Sequence, residues 1–161
     1  SLRGQPQWMV KAVTAFELGR GNAAVGGCGR EDRDPHRVTF DTQLVTSDRQ
    51  RFERTQMLLR ENPDLRLAGA TWGWLAAALR SMAWLRAPGR PEGITPPTLV
   101  VGAGAARICL TPAARAFAAR IPNADYVEIA GAGHEILMER NVYRAQFWAA
   151  FDDFMKNRAP G

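Results

Sequence analysis

Residues 127–140 read VEIAGAGHEILMER, a short strand-like run followed by a glycine-rich turn that carries His134. Gly131 and Gly133 leave the backbone free to turn sharply. The histidine is therefore expected at the C-terminal edge of a parallel sheet, where open α/β folds place ligands. Residues 99–114, LVVGAGAARICLTPAA, have the same build: an apolar strand, a loop and a helix start. Thr111 is expected to be the N-cap of that helix, with Pro112 in its first turn. The helix should end at Ile121-Pro122. A closing helix should run from Asn141 to Lys156, with Val142, Ala145, Trp148, Phe151 and Met155 on one stripe. Strand, helix, strand, helix of this length predicts a parallel pair with a right-handed crossover.

The strand at Thr98–Val101 is a continuous β-branched and apolar run, the pattern of a strand buried on both faces. Tyr126–Ile129 is read as its partner. Two parallel strands make a poor sheet alone, because parallel sheets have several neighbours and covered faces. Both strands read as interior, so partner strands are expected to be missing.

Outward from the strands, the first part of the chain is helical and irregular. Pro6–Leu18 reads as a helix, with Trp8, Met9, Ala12, Ala15 and Phe16 at helical spacing and Gly19 as its stop. Residues 19–45 read as a long, turn-rich loop or a poorly ordered excursion. A helix should open at Ser47, where Ser47 and Gln50 have capping-box spacing, and end at Asn62-Pro63. Another should span Thr71–Leu85. Trp72, Leu75, Leu79 and Met82 share one of its faces, and Trp74, Ala78 and Ser81 another, so it is expected to be well buried. The expected division is 1–93, helical, and 94–161, the βαβα unit.

Composition narrows the class. The chain has 161 residues, 46% hydrophobic and 23% charged, which fits one folded domain. Its formal charge is +5. The base is nearly all arginine, scattered without a basic run, which argues against nucleic-acid binding. A weak preference for an anionic phospholipid surface remains compatible with it. Cys28 and Cys109 are isolated, which gives no metal-ligand or redox spacing and points to free thiols in a reducing, cytoplasmic setting. Neither a secretory leader nor a membrane-length apolar run is visible. No cofactor or metal is implied.

A catalytic histidine needs a fixed tautomer, an exposed ring face and a nucleophile within hydrogen-bond reach. Four stretches bear on its identity: TSDRQRF (46–52), ENPDLRLAGATWGWL (61–75), TPPTLVVGAG (95–104) and GAGHEILMER (131–140). Together they resemble the lysophospholipase and monoacylglycerol lipase-like branch of the α/β-hydrolases, from about Phe40 to Phe154. Residues 1–40 match the start of that family's helical cap only loosely. The resemblance implies a partial α/β-hydrolase: a helical cap or lid over 1–93, then the last strands of the core. It makes His134 the triad histidine. It also implies a lysophospholipid or monoacylglycerol-type ester as substrate of the intact enzyme, with an N-terminal half missing from this chain.

Two departures bear on activity. Relatives carry an aspartate in a pattern like G-x-D-R-I, whereas this chain reads Gly104-Ala105-Ala106-Arg107-Ile108, so the acid position falls on Ala106. Loss of that carboxylate is worth roughly 10⁴ in turnover by analogy with triad mutants. The G-x-S-x-G elbow is also absent. The serines are Ser1, Ser47 and Ser81, of which Ser47 reads as a cap and Ser81 as a helix-face residue. Glu135, Glu128 and Asp125 read as salt-bridge or solvent residues, Cys109 as a buried thiol and His36 as solvated. Cys28 lacks an evident base. Trp72 and Trp74 read as cap core, or as the lining of an acyl tunnel. Trp8, Trp84 and Trp148 read as packing residues.

The expectation is therefore a serine carboxylic-ester hydrolase present without its nucleophile and inactive alone. The alternative is a non-catalytic lipid- or acyl-binding or interaction module derived from the hydrolase fold.

Overall fold

The structure, a computed structural model, describes residues 6–26, 38–65, 67 and 69–158. The readings made on Ser1, Cys28 and His36 lie outside the described residues. The elements in chain order are α1 (Gln7–Gly19), α2 (Arg49–Glu61), a 3-10 turn at Pro63–Leu65, α3 (Trp72–Arg86) and β1 (Thr98–Ala103). After them come α4 (Thr111–Ala118), β2 (Ala124–Ile129), a second 3-10 turn at Ile136–Met138 and α5 (Asn141–Arg158).

β1 and β2 pair in parallel, with Thr98 opposite Ala124 and Ala103 opposite Ile129, and α4 forms the crossover between them. The α/β pattern is as expected. Burial is not: most strand residues are half-buried, with Gly102 and Ile129 the buried positions. The reason is that, among the described residues, each strand has a single hydrogen-bonded neighbour, while α4 and α5 pack on the pair.

The crossover helix starts differently from its sequence reading. Thr111 does not cap it. The Thr111 hydroxyl donates instead to the Ala103 carbonyl at the end of β1 (2.6 Å), which ties the helix start to the strand. Pro112 stands in the first turn as expected, and the regular helix stops at Ala118. In α5 the half-buried residues Tyr143, Phe147, Ala150 and Phe154 recur at helical spacing and mark the inward side. The stripe Val142, Ala145, Trp148, Phe151 and Met155 is exposed.

The chain divides into two compact units, residues 1–39 with 55–85 and residues 40–54 with 86–161. In the first unit, α1 buries Thr14, whose hydroxyl donates to Val10 O (2.7 Å). The described part of the expected loop, residues 20–26, is a set of turns. It holds the start of α3: Trp72 N–H donates to Val25 O (3.1 Å) and Gly73 N–H to Ala23 O (2.9 Å). Thr71 Oγ1 accepts from Trp74 N–H (3.1 Å), so the orphan donors of this helix end are satisfied. The expectation that α3 is well buried fails, because only Trp72 and Ala76 are buried. Trp8, Trp84 and, in the second unit, Trp148 are more exposed than expected of packing residues, at 70%, 54% and 44%.

In the second unit, Phe40 meets the buried Phe52 edge-on (5.8 Å between ring centroids). Asp48, not Ser47, caps α2: its carboxylate accepts from Arg51 N–H (3.0 Å) and also pairs with the Arg51 guanidinium. Ser47 is engaged elsewhere.

Thr111→Val is expected to lower stability by about 1 kcal/mol through loss of the bond to Ala103. The urea unfolding midpoint measures this, and an unchanged midpoint would show that the bond contributes nothing net.

Candidate active site

The two loops that follow the parallel strands are stitched together at the sheet edge. Gly104 N–H donates to Ile129 O (3.0 Å), and Ala105 N–H donates to Ala132 O (2.9 Å). Ala106 follows directly, so the position expected to carry the acid lies beside the turn that leads to His134. Gly131 takes φ +80°, a left-handed conformation that favours glycine. Ala132 is fully buried behind it.

Gly133 is the tightest point of the turn. Its N–H donates to Glu139 Oε1 (2.8 Å). A Cβ at this position would come within 2.6 Å of that oxygen and 3.0 Å of Val45 O. His134 follows, half-buried, and its imidazole makes no hydrogen bond to any described residue. Glu135 N–H then donates to Val45 O (2.9 Å), and the 3-10 turn at Ile136–Met138 brings the chain round to Glu139.

Glu139 is a residue whose importance the sequence reading missed. It is 0% exposed. Its Oε1 accepts from Gly133 N–H and from Ser47 N–H (2.8 Å), and its Oε2 from the Ser47 hydroxyl (2.5 Å) and Arg140 N–H (3.1 Å). Burial pulls the carboxyl pKa up, but the hydrogen bonds from Ser47, Gly133 and Arg140 outweigh it and hold the group below its ordinary value. Ser47 is thus a partner of a buried carboxylate rather than a helix cap.

The remaining candidates separate. Glu135 is exposed. Glu128 projects from β2 into an ion pair with Arg115 (2.7 Å), and Asp125 pairs with Arg158 (2.9 Å), so both are salt-bridge residues as read. Cys109 is a free, exposed thiol, which corrects its reading as buried; its loop, from Arg107 to Leu110, is exposed throughout. Ser81 is exposed on α3. No group of His, Cys, Asp and Glu able to hold a metal ion occurs among the described residues.

Trp72 and Trp74 belong to the helical unit rather than to that of His134. Trp72 is buried there, and Trp74 is 62% exposed. Between α1 and α3 the same unit has an open groove of about 310 Å³, lined by apolar residues such as Ala15, Leu18, Ala76 and Leu79 together with the cations Lys11 and Arg80.

Residues 29–141, more than half of the chain, match the model of the serine aminopeptidase S33 family, Hydrolase_4. The fold is similar to a crystal structure of a soluble variant of monoglyceride lipase from Saccharomyces cerevisiae in complex with a substrate analog. The TM-score is 0.65 and the identity 14%, over 93% of this chain and 49% of that one. The chain therefore spans about half the length of that relative. No curated protein matches it.

Two outcomes follow for the turn. Gly133→Ala is expected to cost on the order of 3 kcal/mol, since the new methyl meets a backbone carbonyl and a buried carboxylate; thermal unfolding measures it. The lowered Glu139 pKa makes its stabilisation complete above the ordinary carboxyl value of 4.5 and lost as pH falls through the folded value. The wild-type urea midpoint should thus fall more steeply than that of Glu139→Gln between about pH 5 and pH 3.

Proposed function

Because the chain belongs to the serine aminopeptidase S33 family of α/β-hydrolases, we propose that it supplies the helical cap and the general base of a serine hydrolase acting on carboxylic esters. The observation that carries this reading is the presentation of His134 at the C-terminal edge of β2, beside the loop that follows β1. The imidazole takes the proton of a serine hydroxyl as that oxygen attacks the ester carbonyl. It then gives the proton to the departing alcohol, leaving an acyl-enzyme that water hydrolyses by the same steps. This mechanism draws on no cofactor.

The serine comes from residues outside these 161. Within them the Ser47 hydroxyl is held by Glu139, and Ser81 lies on α3. The region 1–93 acts as cap or lid and 94–161 as core, with residues 40–54 serving the core because they pack with it. The apolar groove of the helical unit and, outside that groove, the exposed ring of Trp74 support a substrate of lysophospholipid or monoacylglycerol type, while Trp72 serves as packing. None of the described helices is long and apolar enough to cross a membrane. The exposed Trp8, Phe16 and Trp84, with the excess of arginine, support peripheral contact between a cytoplasmic protein and a lipid surface.

One observation favours a second reading. Ala106 offers a methyl group where a triad needs a carboxylate, and the His134 ring has no hydrogen-bond partner among the described residues. A non-catalytic acyl-binding module would tolerate both.

Hydrolysis of a short-chain p-nitrophenyl ester separates the readings. The chain alone is expected to give no turnover above that of His134→Ala. Joined to a segment carrying a G-x-S-x-G serine, it should give turnover that His134→Ala abolishes. Robust hydrolysis by these 161 residues alone would overturn the external serine, and stoichiometric acyl-ligand binding without turnover in the joined protein would favour the binding module.

A further inference from the structure

A carboxylate removed from water is costly unless its acceptor sites are filled. No lysine or arginine side chain among the described residues forms an ion pair with the Glu139 carboxylate. It is satisfied by the neutral donors of Gly133, Ser47 and Arg140. Two of these lie in its own stretch of chain, whereas Ser47 is 92 residues away. The carboxylate is therefore a joint between the His134 turn and the segment that enters α2.

The joint does not act alone. Val45 O accepts from Glu135 N–H (2.9 Å), and Thr46 Oγ1 donates to Met138 O (2.7 Å). Arg51 donates to Glu139 O (2.7 Å) and to Asn141 Oδ1 (2.6 Å). The backing segment has its own brace: Gln43 Oε1 accepts from Val45 N–H (2.6 Å) and Thr46 N–H (3.0 Å), and its Nε2 donates to Thr46 O (2.5 Å). The residues on either side of His134 are thus pinned, Gly133 by Glu139 and Glu135 by Val45, while the imidazole is tied to nothing described.

We propose that Glu139 is the positioning residue for His134, fixing the backbone that leads into the histidine and so the direction of its ring. Segment 43–47 is the backing against which it does so. In a triad, a carboxylate orients the imidazole through the ring nitrogen. Here Ala106 stands at that position, and the orientation comes through the backbone. The proposal rests on the reading of His134 as a general base, but it makes a structural claim that can be checked without hydrolysis.

The test is NMR on the full chain and on Glu139→Ala and Glu139→Gln. Two signals are read: amide hydrogen exchange at Ser47 and Gly133, and the N–Cγ couplings that report the His134 χ1 rotamer. In the wild type one rotamer should dominate. In Glu139→Ala, exchange at Gly133 and Ser47 should rise by about tenfold or more, the equivalent of one charge-assisted hydrogen bond, and χ1 should average. Amides of Val100 and Val127 in the strands should not change. Glu139→Gln keeps one acceptor oxygen and should restore much of the Gly133 protection and the single rotamer. A single rotamer in Glu139→Ala would overturn the proposal, as would a parallel rise at the strand amides, which would mark a role in global stability alone. If Glu139→Ala does not fold, Ser47→Ala carries the same comparison: exchange at Gly133 should rise and χ1 should average, and an unchanged Gly133 amide with a single rotamer would equally count against the proposal. A failed esterase assay would leave these outcomes untouched, and a rotating histidine in an active hydrolase would sink this proposal alone.

Discussion

The hydrogen bond from Gly133 N–H to the Glu139 carboxylate constrains more of this molecule than any other contact at the sheet edge. It requires a residue without a side chain at 133, because a Cβ there would occupy the space of the accepting oxygen. The 3-10 turn at Ile136–Met138 must also be short enough to return the chain to its own starting point. The segment before α2 divides its duties accordingly: Ser47 serves the carboxylate, and capping passes to Asp48. Arg51, one turn into α2, then reaches the carbonyl of Glu139 itself.

What the sequence disclosed and what it concealed follow from the range of the interactions involved. The parallel pair, its crossover and the place of His134 were legible because β-branched runs and glycine turns act locally. Thr111 and Ser47 were misread for one shared reason. Each has the composition of a helix cap, and each hydroxyl is claimed by a partner from another element, Ala103 and Glu139 respectively. Nothing within ten residues of Ser47 announces a carboxylate 92 positions away. Glu139 left only a faint trace, an acidic residue just ahead of α5 that could be taken for an ordinary surface charge. Trp72 is buried as read, and the other tryptophans were misjudged because residue type alone was used. Trp8, Trp84 and Trp148 are large and apolar, yet the described residues leave much of each uncovered.

The family assignment and the turn geometry account for different features of the molecule. Membership of an α/β-hydrolase family accounts for the parallel strands with helices packed on them. A turn pinned on both flanks offers a physical way to keep an imidazole directed while the neighbouring loop, residues 104–110, carries no carboxylate.

The open sides of the parallel pair have a consequence for handling. β1 and β2 pair only with each other among the described residues, and α5 carries exposed Trp148, Phe151 and Met155. Unpaired strand edges next to apolar surface favour self-association between copies. The formal charge of +5 opposes this by mutual repulsion, a long-range force that dissolved ions screen within about 8 Å at physiological ionic strength. Colloidal stability of the purified polypeptide thus depends on ionic strength, with low-salt buffers keeping molecules apart and concentrated salt bringing their edges together.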